Sequence, residues 1–400
     1  MKKIGIVSLY YNSVNYGGLA QAYALNRYFT DVGYESELIS YDRIKKRKSI
    51  PEKRKKITSM SLGEIVEKCY RKAAEKIGQK CYAKRLDIRK ARMKEFRDAI
   101  PHSVRYTEET IQQCENDYDI FVSGSDQIWK PGVVDAGFTF DFLKEPEKKT
   151  VISYSSSVSV KELPEDYVHF MTGALKKYSA ISLREATTAK QFKAAFNRDV
   201  RVTVDPVLLV DESVWTEMAS QKLLDEKYVF CYMLGDNKEQ RRDIKKFARS
   251  QNLTLVTLPH IKQSSRFEVR VEDFDFGDKQ MFEVGMPEFL SLIKYAEVVV
   301  TDSFHAGVFS YIFRKAFYLL ERPTKNPNDV MNIRIYDLLS LYGTPDRLVK
   351  VGESLLNKDS KIINFLTIEQ KVSTARQYSR MYLQEALNKN GYPLKGRIKT

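Results

Sequence analysis

Cysteine and histidine are scarce in this 400-residue chain, four of each, and both scarcities narrow what it can be. Cys69, Cys81, Cys114 and Cys231 are widely separated and match no zinc or redox spacing. That excludes a zinc-ribbon or thioredoxin-type centre, argues against a disulfide-stapled secreted domain, and fits a reducing cytoplasm. No metal site is expected. No hydrophobic run approaches the ~20 residues of a membrane span. Met1-Lys2-Lys3 looks like the start of a signal peptide, but the apolar run behind it is short, ends in Tyr10-Tyr11-Asn12 and has no small-residue cleavage site. It is read as a strand, and the protein is expected to be cytoplasmic. Internal repeats and low-complexity linkers are absent as well.

Acidic residues are fewer than basic ones, 52 against 66, and the imbalance is local. Residues 43–97 hold 21 Lys and Arg against 6 Asp and Glu, a net +15 in a chain of net +14, so the basicity belongs to one segment. It opens with Arg43-Ile44-Lys45-Lys46-Arg47-Lys48 and continues through an expected long helix from Leu62 to Ala99. Three readings stand: a solvated lysine-rich insertion, a nucleic-acid contact, or an anionic membrane surface, where each cation is worth about 1 kcal/mol. No zinc, RNP or recognition-helix signature accompanies the charge, so nucleic acid is not expected as a partner.

What is present is a series of short apolar strands that end in polar residues. Val298-Val299-Val300-Thr301 runs into Asp302-Ser303-Phe304-His305-Ala306-Gly307. This is the pattern of a buried parallel strand delivering side chains to the mouth of an α/β sheet, where ligands bind. His305 suits proton transfer, since imidazole titrates near neutral pH; Asp302 or Ser303 equally suits capping of a helix that starts near Phe304. Ile4-Gly5-Ile6-Val7-Ser8-Leu9 leads to Asn15-Tyr16-Gly17-Gly18 and a helix expected over residues 19–30. Paired glycines before a helix admit an anion, though neither a G-x-G-x-x-G pattern nor a ribose-binding acid is present. Tyr118-Asp119-Ile120-Phe121-Val122 runs into Ser123-Gly124-Ser125-Asp126-Gln127, a loop able to hold a phosphate or sugar. Val151-Ile152-Ser153-Tyr154-Ser155 ends likewise in hydroxyls, and Ala180-Ile181-Ser182-Leu183 delivers Arg184 beside Glu185. Arg184 can fork onto a phosphate or carboxylate, or pair with Glu185. His260 sits at a further strand end and Arg334 just inside an expected helix.

Taken in order, Asn15-Tyr16-Gly17-Gly18 with its helix, Val122-Ser123-Gly124-Ser125-Asp126-Gln127-Ile128-Trp129, Ser182-Leu183-Arg184-Glu185, Val204-Asp205-Pro206 and Thr301-Asp302-Ser303-Phe304-His305 resemble the polysaccharide pyruvyl transferase family. The likeness runs from the first strand to about Gly343. One departure is Ala306 before Gly307, where the family usually has Gly directly after the histidine. The resemblance implies a GT-B-like architecture and transfer of the enolpyruvyl unit of phosphoenolpyruvate onto two glycan hydroxyls as a ketal, in capsule, exopolysaccharide or cell-wall biosynthesis. It implies no cofactor beyond that donor. Capsule and cell-wall units are commonly built on lipid carriers, so a lipid-linked acceptor and a contact between residues 43–97 and an anionic membrane follow as expectations, with the enzyme peripheral on the inner face. His305 is expected as the acid, with Asp126 or Asp302 as base. Asn15, Gly17, Gly18, Ser123, Gly124, Ser125, Gln127, Ser155, Arg184, Ser303 and Arg334 are expected at the substrates. A nucleotide-sugar glycosyltransferase and a non-catalytic glycan-binding protein of the same fold are the alternatives.

Size and strand pattern divide the chain in two. Strands near 4–9, 34–40, 119–123, 150–155, 180–183 and 200–204 form one set, and those near 228–234, 253–258, 297–301 and 316–320 the other. The expected fold is α/β, two doubly wound Rossmann-like domains facing each other across a cleft. They cover 1–206, with a basic helical insertion at about 43–100, and 207–400, with a last helix at about 367–388. The segment from Asp205 to Val210 is read as a hinge.

Overall fold

The protein is described from a computed structural model over residues 2–43, 61–262, 268–324, 332–358 and 362–392. The cationic clusters at 45–48 and 53–56 lie outside the described residues. The first half runs β1 (Lys3–Val7), α1 (Tyr16–Asp31), β2 (Glu35–Tyr41), α2 (Leu62–Asp98), β3 (His102–Tyr106), β4 (Ile120–Ser123), β5 (Thr150–Ser153), α3 (Glu165–Ala174), β6 (Ser182–Leu183), α4 (Ala186–Phe196) and β7 (Arg201–Val202). The second runs α5 (Pro206–Leu209), α6 (Glu212–Met218), β8 (Tyr228–Tyr232), α7 (Lys238–Ser250), β9 (Thr254–Thr257), β10 (Lys279–Gln280), α8 (Met286–Lys294), β11 (Val298–Thr301), α9 (Phe304–Ile312), β12 (Ala316–Leu320), α10 (Ile333–Tyr342), β13 (Leu348–Val349) and α11 (Phe365–Asn388).

Each half builds a parallel sheet, ordered β3-β2-β1-β4-β5 and β10-β9-β8-β11-β12-β13. Helices cover both faces, which is why strands such as β4, β5 and β8 are buried along their whole length. β6 and β7 pair with each other and extend the first sheet past β5 only through single bridges, Ile152 to Ala180 and Ser156 to Leu183. All ten expected strands are present. The three not expected, β3, β10 and β13, are sheet edges: β3 is largely exposed, and the others are two residues long. Such edges carry little hydrophobic alternation to read.

In both sheets the chain winds outward from a central strand in one direction and then restarts on its other side. The reversals fall between β1 and β4 and between β8 and β11. At such switch points the loops beyond the carboxyl ends of the strands part and leave a crevice. The loops there are those that begin at Ser8, Gly124, Met233 and Asp302, so the topology explains why polar motifs follow these strands.

Three connections tie the halves together. Tyr16 at the start of α1 stacks on Phe289 of α8 at 4.3 Å and donates its hydroxyl to the Val284 carbonyl. The last helix, expected within the second domain, crosses back onto the first: Tyr382 donates to the Ser153 carbonyl at 2.7 Å, and Ser379 accepts from the Val204 N–H. Its sequence shows an apolar stripe but not which domain will cover it. The segment read as a hinge is packed. Residues 206–210 are buried, and Arg376 and Arg380 of α11 cap the Leu208 and Leu209 carbonyls.

The third connection is the basic helix. α2 starts in a capping box between Ser61 and Glu64 and lays one face against the second domain. Gly78, Tyr82 and Leu86 meet Phe274, Phe282, Ile261 and Val269. Carboxylates of that domain neutralise the cations on this face: Arg71 with Glu272, Arg85 with Glu283, Lys90 with Glu268, Arg92 with Glu288. Arg89 is buried, donates to the Pro259 carbonyl and lies 4.8 Å over the Tyr16 ring. Helix α2 is therefore a strut between domains, solvated on one face only. A Cβ at Gly78 would stand 2.1 Å from the Phe274 ring. Gly78→Leu should destabilise by about 1–3 kcal/mol and speed amide exchange throughout α2. Unchanged exchange in α2 would show that this contact does not hold the helix.

Candidate active site

The loop after β1 reaches α1 through Asn15, whose side chain accepts from the Gly18 N–H at 3.1 Å and starts the helix at Tyr16. Gly17 and Gly18 therefore lie inside the first helical turn, earlier than the expected start at residue 19. The smallness of Gly17 serves packing between domains: a Cβ there would lie 2.0 Å from His305 Nδ1. On the neighbouring strand end, Asp126 has φ 66° and ψ −173°, a region almost restricted to glycine and costing ~1–3 kcal/mol in other residues. The strain turns its carboxylate toward Gly18 and toward two arginines, with Arg184 Nη2 and Arg334 Nη1 each 3.9 Å from Oδ1.

The hydroxyls of this region have another role than the one expected. Ser123 donates to the Phe138 carbonyl, Ser125 to that of Ser155, and Ser155 to that of Thr203, all without exposed surface. They satisfy backbone acceptors of the crowded loops and hold them in place. Gly124 is required by the Val7 carbonyl, 2.9 Å from where a Cβ would stand. Gln127 is partly buried with its Nε2 unpartnered.

Arg184, delivered by β6, is the centre of a buried charge cluster. Its Nη1 donates to Asp205 Oδ2 at 2.8 Å, its Nε is 3.5 Å from Glu185, and its guanidinium lies 4.6 Å over the Phe304 ring. His305, in the first turn of α9, approaches the same Asp205 oxygen with Nε2 at 3.4 Å. Burial would raise the Asp205 carboxyl, but His305 and Arg184 bring it well below the usual carboxylate range. Arg334 is also buried; burial and then the charge of Arg184 push it down to about 10. Buried donors of the two arginines in this cluster lack hydrogen-bond partners: Arg184 Nε and Nη2 and Arg334 Nε. Each unsatisfied group costs ~1–3 kcal/mol, and an anion with several acceptor oxygens would satisfy them together. A cavity of about 810 Å³ opens beside them, lined among others by Arg184, Asp205, Phe304, Arg334, Asp337 and Tyr378.

The β11 loop supplies supports. Asp302, expected as a base, is fully buried with its oxygens accepting from the Leu234 and Gly235 N–H groups at 2.6 and 2.7 Å, and Arg322 Nε lies 3.3 Å away. With both oxygens engaged, it anchors the two switch-point loops of the second sheet to each other and is corrected to that role. Ser303 is the N-cap of α9, accepting from the Ala306 N–H. Burial and the charges of Arg270 and Arg89 push His260 down to about 3, so it stays neutral beside Tyr232. Among the described residues no group of three or more His, Cys, Asp and Glu side chains is arranged to hold a metal.

Comparison with known proteins places this geometry. The family model described as polysaccharide pyruvyl transferase matches residues 15–324, a span that contains Gly17, Asp126, Arg184, Asp205 and His305. The chain belongs to the polysaccharide pyruvyl transferase family. Among solved structures it resembles the S. aureus MnaA–UDP complex, at 12% identity and TM-score 0.52 with 99% of this chain and 100% of that one covered. It also resembles a UDP-N-acetylglucosamine 2-epimerase at 10% identity and TM-score 0.51, covering 99% and 98%. At these identities the likeness is one of fold, two Rossmann-like domains in a GT-B-like arrangement. A comparison with curated proteins found no match.

In this pyruvyl transferase family chain, two site residues escaped the sequence reading. Asp205 was read only as part of the Val204-Asp205-Pro206 motif and as the start of a hinge, with no role of its own; it also caps the Val207 N–H. Asp337 of α10 lines the cavity with its Oδ2 unpartnered; burial and then Glu185 push its carboxyl up to about 6. Its only sequence signal is a helical position one turn from Arg334.

Two tests follow from this geometry. Gly17→Ala should displace the imidazole, lower turnover ~100-fold and destabilise the protein by about 1–3 kcal/mol; near-normal turnover would remove the Gly17–His305 contact from the site. Asp337 has a folded-state value above its unfolded one, so its contribution to stability is full below about 3.8 and lost as pH rises through about 6. Asp337→Asn should therefore stabilise the protein at pH 7–8 by about 1–2 kcal/mol, discounted for partial exposure. The gain should vanish near pH 4, as read from denaturant unfolding at several pH values.

Proposed function

We propose that this protein transfers the pyruvyl unit of phosphoenolpyruvate onto two hydroxyls of a glycan as a ketal, releasing phosphate, in capsule, exopolysaccharide or cell-wall polysaccharide biosynthesis. Membership of the family supports a transferase acting on a glycan. The observation that carries the donor is the set of unpartnered buried donors on Arg184 and Arg334. Phosphoenolpyruvate brings a phosphate and a carboxylate, and paired guanidiniums offer each a planar two-pronged contact. The arginines would hold the donor between the Asp126 loop and α9. The neighbouring cavity, within the ~300–1,000 Å³ usual for ligand sites, would receive the acceptor sugar against Phe304 and Tyr378.

The chemistry divides among these groups. A proton from His305 adds to the methylene carbon, which becomes a methyl group and leaves the central carbon electrophilic. The first sugar hydroxyl attacks that carbon and loses its proton to Asp126. Phosphate then departs with the electron pair of its C–O bond, and the second hydroxyl closes the ketal, its proton returning to His305. The proton on Asp126 leaves with phosphate, so each group is restored. Asp205 and Gly17 would orient the imidazole; Asp302, engaged by backbone, takes no part in transfer. The acceptor is proposed to be lipid-linked, with the enzyme peripheral on an anionic cytoplasmic membrane surface that the basic segment meets.

Phosphate release from phosphoenolpyruvate across a panel of free and lipid-linked glycans tests the reading; turnover of nucleotide sugars in place of phosphoenolpyruvate would overturn it. His305→Gln should lower kcat by ~10²–10⁴-fold and, by leaving the buried Asp205 short of a partner, also lower stability by ~3–5 kcal/mol, so kcat is compared on protein held below its melting transition. Arg184→Lys should raise KM for phosphoenolpyruvate ~tenfold or more despite the retained charge; an unchanged KM would leave Arg184 as a partner of Asp205 alone.

A further inference from the structure

The inward face of α2 is accounted for, and its outward face is not. Leu62, Val66, Tyr70 and Ile77 project from it with 80, 60, 67 and 63% of their surface exposed. Their spacings are four, four and seven, with Ala73 in the gap. At 100° per residue the five positions fall within an arc of about 80°, along about 22 Å of helix. Lys72, Lys76, Lys80 and Lys84, all exposed, run diagonally beside and then across this stripe. Among the described residues none of the four meets a carboxylate, in contrast to Arg71, Arg85, Lys90 and Arg92 on the docked face. Between residues 68 and 86 the single carboxylate is Glu75, and it is drawn inward by Lys262. Over that stretch the open face is apolar and positive only.

We infer that this face of α2 is a docking surface for an anionic phospholipid membrane, with the helix lying flat and Leu62, Val66, Tyr70 and Ile77 entering the headgroup region while the lysine row meets the phosphates. An exposed apolar stripe flanked by lysines on an otherwise polar helix is the pattern of a helix that lies in a membrane interface, and tyrosine favours that depth. A solvated face would not need four large apolar side chains in register. A second copy of this chain is the weaker occupant, because it would set one lysine row near another with no acid between them. The inference deepens the membrane-side part of the proposed function by naming the contact, and it stands apart from the chemistry. The opposite face of the same helix carries Arg89 onto Tyr16, one residue from the Gly17–His305 contact, so docking would hold the cleft close to a lipid-borne acceptor.

The test is co-sedimentation of the full chain with vesicles of phosphatidylcholine and phosphatidylglycerol, against phosphatidylcholine alone. The unmodified protein should bind the anionic vesicles, less so as salt rises. Val66→Ser/Tyr70→Ser/Ile77→Ser, which leaves every charge in place, should weaken binding ~tenfold or more. Replacing Lys72, Lys76, Lys80 and Lys84 by Gln should weaken it ~100-fold. All these positions are exposed, and unchanged melting curves would confirm intact folding. Tyr70→Trp adds a direct readout: Trp129 and Trp215 are the chain's two tryptophans and both are buried, so quenching by brominated lipid would report insertion at position 70. Binding of the Ser variant equal to wild type, no quenching on anionic vesicles, or a dimer in sedimentation equilibrium that the Ser variant dissolves would each overturn the assignment. Phosphate release with a soluble glycan, measured in parallel, separates the two ideas. Docking without turnover of phosphoenolpyruvate defeats the transferase reading alone, and turnover without docking defeats this one alone.

Discussion

Asp205 carries a charge that the fold cannot leave alone. It is fully buried at the point where the chain passes from one domain to the other, and a carboxylate without solvent must be compensated by partners nearby. One partner, Arg184, comes from the first domain and the other, His305, from the second. Removing either would leave a buried charge short of compensation, a loss of ~3–5 kcal/mol in comparable cases. The relative placement of the domains is therefore bound to the placement of the imidazole. Much else follows from that constraint. Gly17 must lack a side chain because the ring occupies its space, and the segment after Asp205 must be packed, which α11 achieves by returning to cap its carbonyls.

Strand ends were the legible part of the sequence. β-branched and apolar runs that stop at Ser, Asp or Arg mark buried parallel strands, and winding order then sends their ends to switch points. What the sequence could not show is which polar groups remain available once the loops are packed. Ser123, Ser125 and Ser155 look as functional as Arg184 in one dimension, yet each donates to a backbone carbonyl that only the folded loops bring near. Asp302 and Asp126 follow strands in the same manner and diverge in the same way. The first has its oxygens engaged by two N–H groups, while the second is turned by a left-handed backbone toward the arginines. Asp337 gave no signal beyond a helical carboxylate, and Asp205, though inside a motif, gave none of the partners that the fold gathers around it.

The basic segment shows the same limit from another side. A charge count cannot say which cations face protein and which face solvent. The four acids that answer these cations do not stand in one run but are scattered as Glu268, Glu272, Glu283 and Glu288, and their gathering beneath α2 is a tertiary fact. Once the inner cations are paired, periodicity regains its value. Residues 62, 66, 70, 73 and 77 share one face of a straight helix whatever lies beneath it.

The unfavourable features of this protein are concentrated where its chemistry is proposed. Asp126 holds a backbone conformation that costs free energy, Arg334 loses some of its affinity for a proton to burial and to the charge of Arg184, and donors on Arg184 and Arg334 lack acceptors. Distributed over a surface, such defects would be relieved by water or by small shifts of side chains. Here they are locked in, because Asp205 fixes Arg184 and His305, and buried serines fix the loop that bears Asp126. A ligand rich in negative oxygen, as in the proposed reaction, would relieve them together. That concentration of unsatisfied donors is the physical basis of the proposed preference for an anion.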